Sequence, residues 1–193
     1  GITCTATVSF TVPQAVQVAE RHRQGRERAR GAGITPGDCF TVIMIGGLDD
    51  YLRDVAHDRK AAVSESDIRQ AGLAVCKRAY RIYQEQGYEA VLLIAAMRAA
   101  YHITELAGAE LILSIHPRVQ AMLEPPDVPR EVRFERPISP EVIARLQTVA
   151  EFVRSYEPDG MAAEEFITYG ATQRTLTQFS EVGWKQLASF QAP

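Results

Sequence analysis

Apolar residues fall along this chain in short unbroken runs, separated by longer stretches at helical spacing. The clearest case is Gly87 to Pro117, GYEAVLLIAAMRAAYHITELAGAELILSIHP. Ala90 to Ala95 is a continuous apolar run, too short to cross a membrane and the right length for a strand buried on both faces. Ala99, Ile103 and Leu106 predict a helix across 99–107, with Gly108 as its natural stop. Leu111 to Ile115 predicts a second buried strand. A strand, a short crossover helix and a parallel strand are the repeating unit of α/β barrels and doubly wound sheets. In both, chemistry sits at the carboxyl ends of strands, and Arg98 lies just past such an end.

The rest of the chain repeats the pattern. Thr3 to Phe10 is rich in Thr and Val and reads as a strand. A helix from Pro13 to about Arg30 follows, with Ala15, Val18 and Ala19 inward. Gly31 to Gly37 is a loop, and Cys39 to Ile45 is the next strand, ending in the flexible pair Gly46 and Gly47. Leu48, Leu52 and Val55 continue as a helix. Ser64 or Ser66 can cap a long helix to Gln86, with Ile68, Ala71, Val75, Ala79 and Ile82 as its buried stripe. Pro117 to Leu123 is a short helix. After that, Glu124 to Pro140 holds five prolines and reads as an irregular connector. Ser139 and Pro140 open a helix burying Ile143, Leu146, Ala150 and Val153. A last helix, about Thr172 to Phe190, carries Leu176, Phe179, Leu187 and Phe190.

Four βα units are awkward alone. A full (β/α)8 barrel takes about 250 residues, and four curved strands would leave two long edges exposed. The chain also starts inside what reads as its first strand. The expectation is an α/β chain of parallel TIM-barrel type, comprising the carboxyl-terminal four βα units in residues 1–125. A connector and helices packing on the barrel fill 126–193. A small open four-stranded sheet is the alternative.

Composition narrows the class. The 193 residues carry 24 acidic and 21 basic side chains, a formal charge of −3, and are 46% hydrophobic. A core is within reach, and neither a generic nucleic-acid partner nor a membrane partner is expected. Cys4, Cys39 and Cys76 are scattered and form no CxxC, which suits buried thiols in a reducing compartment, with the cytoplasm as the expected location. P-loop, GxGxxG and zinc patterns are absent, so no metal or cofactor is expected. Arg21, Arg23, Arg26, Arg28 and Arg30 cluster with His22, but Glu20 and Glu27 interrupt them and no aromatic is interleaved, so a solvated helix face is the better reading. Asp49 and Asp50 fit a helix first turn. His57, His102 and His116 share no ligand spacing, although His116 ends a strand. Thr3, Thr5, Thr7 and Ser9 alternate onto one face.

In order and spacing, these segments resemble the carboxyl-terminal half of transaldolases. GITCTATVSFTVPQA looks like the fifth barrel strand and its helix, TVIMIGGLDDYLRD like the sixth, and Gly87 to Pro117 like the seventh and eighth, including the turn Gly108–Ala109–Glu110. The resemblance covers about residues 1 to 125. It implies a (β/α)8 barrel with a C-terminal helix near the active site. It also implies a lysine Schiff base that passes a dihydroxyacetone unit between sugar phosphates. The imine acts as an electron sink, and a glutamate moves the proton through a threonine-held water.

Carried over by position, Thr7 falls on that threonine and Arg98 on the phosphate-binding arginine of strand seven. Thr5 falls where the family has asparagine, Val42 and Met44 where it has serine and phenylalanine, Gly47 on a second arginine and Ala96 on a serine. The substrate-binding candidates are therefore Arg98, Thr5 and Met44, with Thr7 catalytic. Lys60, Lys77 and Lys185 fall on helices or loops, so the Schiff-base lysine is expected outside this chain. It would lie in a missing N-terminal half-barrel of the same protein or of an assembled partner chain; a homo-oligomer stays open. The alternative is a non-catalytic or diverged barrel binding a sugar phosphate or other anion.

Overall fold

A computed structural model describes residues 1–190. The strands β1 (Cys4–Ala6), β2 (Cys39–Met44), β3 (Val91–Ala95) and β4 (Ile112–Leu113) form one parallel sheet in the order β1-β2-β3-β4. Each strand lies beside its predecessor in sequence, with Cys4 opposite Cys39, Ile43 opposite Ile94, and Leu93 opposite Ile112. The crossovers are α1 (Val12–Gly31), then α2 (Ile45–Asp58), α3 (Glu65–Ile68) and α4 (Ala71–Gln86), then α5 (Tyr101–Thr104). After β4 come α6 (Pro117–Gln120), α7 (Pro140–Leu146), α8 (Ala150–Tyr156), α9 (Gly170–Gln178) and α10 (Lys185–Ala188).

The core lies between the helices and one face of the sheet. Cys39, Thr41, Ile43, Leu92 and Ile94 alternate onto that face and are buried with Ala15, Leu48, Leu52, Leu73 and Ala79. On the other face Phe40, Met44, Val91, Leu93 and Ala95 are only half-buried. The expectation that 90–95 is buried on both faces is thus corrected: Val91, Leu93 and Ala95 stay partly exposed, although Val42 on the same face is buried.

Several elements are shorter than their apolar pattern suggests, each for a local reason. The first strand stops at Ala6 rather than Phe10. Val8 takes φ +60°, and Ser9 folds back so that its hydroxyl donates to the Val42 carbonyl at 2.6 Å. Thr7 and Ser9 therefore do not share a face: Thr7 is exposed and Ser9 buried.

The long helix expected from Ser64 to Gln86 is broken. Ser64 and Asp67 form a reciprocal cap that opens α3, which ends after one turn at Ile68. Gly72 then packs so tightly on α2 that a Cβ there would sit 2.5 Å from the Ile45 carbonyl oxygen. The helix expected over 99–107 is the single turn α5, because the Arg133 and Phe134 amides, each at 3.0 Å, bond the Ala107 carbonyl from the connector.

β4 has two residues, and Ile112 is 41% exposed, so the second strand is an edge rather than a buried element. The helix after Pro140 is two helices burying Leu146, Val149 and Phe152; Ala150 is exposed. The Thr148 hydroxyl, 2.7 Å from the Arg145 carbonyl, takes up an acceptor where the break falls. From Gly170 the chain is helical through α9, a wide turn at Phe179–Trp184, and α10, with Phe179, Leu187 and Phe190 exposed.

The glycine pair after β2 is not a flexible joint. Gly46 and Gly47 form the first turn of α2, and Asp49 and Asp50 fall in its second turn rather than its first. Of the thiols, Cys39 and Cys76 are buried but Cys4 is exposed.

Candidate active site at the strand ends

The carboxyl ends of β2, β3 and β4 enclose a cavity of about 710 Å³. Met44 comes from the end of β2, Ala96, Met97 and Arg98 from the loop after β3, and Ser114, His116 and Arg118 from the segment after β4. These positions follow from the pleat. Each strand ends where its backbone turns toward its helix, and the first residues beyond it rim the open end of the sheet.

Arg98 is held from two sides. Its Nε–H donates to Asp50 Oδ2 at 2.8 Å, and its Nη1–H donates to the Ala96 carbonyl at 2.7 Å. Asp50 also accepts from Arg53 at 3.0 Å, and Arg53 is bound in turn by Glu65 at 2.8 Å. The Arg98 side chain is 48% exposed, and Nη2 has no partner among the described residues.

The loop carrying Arg98 is strained and braced. Ala96 adopts φ +58°, a left-handed conformation that costs a non-glycine residue about 1–2 kcal/mol. Gly46 permits the loop's close approach: a Cβ at position 46 would overlap the Ala96 carbonyl oxygen and lie 2.8 Å from Arg98 Cγ.

Beneath the loop is a buried network. The Arg98 amide donates to His102 Nδ1 at 3.0 Å, His102 Nε2 lies 2.9 Å from Asp49 Oδ2, and the Gly72 amide donates to Asp49 Oδ1 at 2.7 Å. His102 and Asp49 are 0% and 1% exposed.

On the other side of the cavity His116 caps α6, its Nδ1 accepting the Arg118 amide at 3.1 Å. With Arg98, Arg118 and His116 on its wall and the Ser114 hydroxyl beside them, the cavity suits an anionic ligand.

Of the four residues singled out from sequence, the structure brings Arg98 and Met44 together here. Thr7 lies elsewhere, on a second cavity of about 720 Å³ between β1 and α1, with Cys4, His22, Arg26 and Cys39. Thr5 is exposed on β1 and lines neither cavity. Among the described residues no lysine lines the strand-end cavity: Lys77 is buried and donates to the Arg136 carbonyl at 2.7 Å, with burial lowering its affinity for a proton. Sequence reasoning set Asp49 aside as a helix first-turn residue and His102 as a histidine without ligand spacing, and it did not single out Arg118. A signal for Asp49 was present, since it lies on the same helical stripe as Ile45, Leu48, Leu52 and Ala56, all buried. A carboxylate on an apolar stripe needs a buried partner.

The family model described as Transaldolase/Fructose-6-phosphate aldolase matches residues 1–167, most of the chain. The chain belongs to this family. Among curated relatives, the protein named Transaldolase from Pseudoalteromonas atlantica is 28% identical over 165 residues, covering 86% of this chain and 46% of the relative. The Transaldolase of Nostoc punctiforme is 30% identical over 159 residues, covering 82% of this chain and 35% of the relative. Transaldolase A of Pasteurella multocida is 28% identical over 167 residues, covering 86% of this chain and 46% of the relative. The chain thus spans less than half the length of these relatives. The match to the transaldolase and fructose-6-phosphate aldolase family runs past the four strands into α7 and α8. No described helix is long and apolar enough to cross a membrane.

Proposed function

We propose that this chain is the carboxyl-terminal part of a transaldolase-like enzyme. In this reading it passes a dihydroxyacetone unit between sugar phosphates through a lysine Schiff base, with the lysine outside the chain. The observation that carries the reading is the strand-end cavity in a member of this family, with Arg98 fixed at the carboxyl end of β3. A sheet in strictly sequential order, with short edges at β1 and β4, supports an arc of a (β/α)8 barrel. Residues 1–125 would supply that arc, and the following residues would pack on it. The missing four βα units would come from the same protein or from an assembled partner chain.

In the working enzyme Arg98 would hold a substrate phosphate by a charged hydrogen bond, and Met44 would shape the apolar wall beside it. Thr7 would contribute its water only where the completed barrel brings its strand to the same opening. Lys60, Lys77 and Lys185 line no part of the cavity, which supports an imine-forming lysine elsewhere.

The test is borohydride trapping with fructose 6-phosphate on the full-length protein. A mass adduct on a lysine preceding Gly1 is the expected result. Trapping on no lysine, with phosphate still bound at Arg98, would favour the second reading, a diverged barrel that binds a sugar phosphate without turning it over. That reading draws on the substitution of small or apolar side chains for polar ones at Gly47, Val42 and Ala96.

A further inference from the structure

The loop carrying Arg98 rests on a buried, polar support. A carboxylate and an imidazole, both withdrawn from water, are costly to bury. An apolar pair of the same volume is often as stable or more so. Packing alone therefore does not account for Asp49 and His102. Neither side chain lines the cavity, so neither can touch a ligand there.

The bonding pattern assigns the protons. The Arg98 amide has one hydrogen and donates it, so His102 Nδ1 must be the acceptor. Nε2 then carries the ring proton and gives it to Asp49 Oδ2, while Asp49 Oδ1 is taken by the Gly72 amide. The chain of contacts runs from the start of α4, through α2 and α5, into the backbone of the residue that rims the cavity. It ends two residues from Ala96, whose left-handed φ of +58° persists only if its neighbours enforce it.

We propose that Asp49 and His102 are positioning residues: they hold the 96–98 turn, and through its backbone they fix the Arg98 side chain at the cavity edge, where it pairs with Asp50. The importance of this aim for ligand binding rests on the anion-site reading of the cavity; the positioning itself does not. His102 acts through its ring nitrogens. A side chain that merely fills the same space would keep the core and lose the aim.

Two measurements on the 15N-labelled intact protein separate these points. The first reads the His102 ring nitrogens and the hydrogen exchange of the Arg98 amide in the wild type and in Asp49→Asn, His102→Leu and His102→Asn. The wild-type ring should be the Nε2–H tautomer. Exchange at Arg98 should rise about tenfold in His102→Leu, the effect of one lost hydrogen bond. It should return to near the wild-type rate in His102→Asn, whose amide oxygen replaces Nδ1. A wild-type Nδ1–H tautomer, or unchanged Arg98 exchange in a folded His102→Leu, overturns the proposal. Should His102→Leu fail to fold, Asp49→Asn against His102→Asn decides it on the same amide: faster exchange in Asp49→Asn alone supports the relay, and equal rates overturn it. The second measurement titrates inorganic phosphate. Weaker binding in whichever of His102→Leu and Asp49→Asn folds, restored in His102→Asn, extends the relay to the ligand. No binding even in the wild type removes the anion-site reading, and the exchange rates alone then decide for or against the relay.

Discussion

Two cavities of nearly equal size sit at different places on this sheet, and they differ in everything but volume. The groove between β1 and α1 holds about 720 Å³ and the strand-end cavity about 710 Å³. The groove runs along an edge strand of three residues. Its charged side chains, Arg21 and Arg26, come from one helix, α1, and Arg26 pairs with Glu89 at 2.5 Å. The strand-end cavity is rimmed by loops from three strands, and its arginine is fixed by a carboxylate, a carbonyl and a buried network. Volume alone does not distinguish a site. Side chains held rigidly at the ends of paired strands do, because their orientation has been settled before any ligand arrives.

The sharpest way to break that comparison is a matched pair of glycine substitutions, one beside each cavity. Gly46→Ala should destabilise the protein by about 2 kcal/mol, since the methyl group collides with the Ala96 carbonyl and the Arg98 stem. Gly25→Ala, in α1 on the groove wall with nothing within 4 Å, should instead stabilise by up to about 1 kcal/mol. Thermal and denaturant unfolding of both variants would show it. Equal effects would mean that the strand-end loop is no more tightly packed than the groove.

Next in size is the contrast in binding. Arg98→Ala should weaken inorganic phosphate binding about tenfold or more, from the roughly 1.5–3 kcal/mol of a charged hydrogen bond. Thr7→Val should leave it within about twofold, as expected of an exposed residue on the other cavity. Calorimetric titration of both decides whether the anion site belongs to the strand ends.

The smallest effect concerns a tie that touches neither cavity. Two hydrogen bonds from the Arg145 guanidinium, at 2.7 and 3.0 Å, hold the Asp67 carboxyl well below the usual carboxylate range, and Ser64 lowers it further. A depressed folded value means that the stabilisation is complete above the unfolded value, near 3.9, and is lost as the pH falls through the folded one. Arg145→Met should therefore lower stability slightly at pH 7, because solvent screens the exposed arginine. The difference from wild type should shrink as the pH drops below about 4, read by urea unfolding across that range. Phosphate binding should not change, which makes this variant the control for both cavities.

Much of this was legible in the chain. Apolar runs at 39–45, interrupted by Thr41, and at 90–95 mark the two central strands, whose inward positions pack on the helices. Ser64, one of the two capping serines the sequence offers, marks a helix start. Arg98 could be placed because it follows such a run directly. The edges were harder to read. Ala6 and Leu113 end their strands where tertiary contacts, not local propensity, stop the pairing: Ser9 turns back onto Val42, and β4 has no neighbour beyond it among the described residues.

The partners of the site were less legible still. Asp49 and His102 are 53 positions apart and meet only because α2 and α5 converge beneath the same strand ends. Arg98 and Arg118 reach one cavity from two strands. Hydrophobic periodicity is a one-dimensional property, so the sequence by itself determined where the central strands run and that they pair in parallel. Hydrogen bonding between distant side chains depends on the three-dimensional register of packed elements. Only the tertiary structure could decide that Thr7 and Arg98 face different cavities, and that a buried acid and histidine stand behind the arginine.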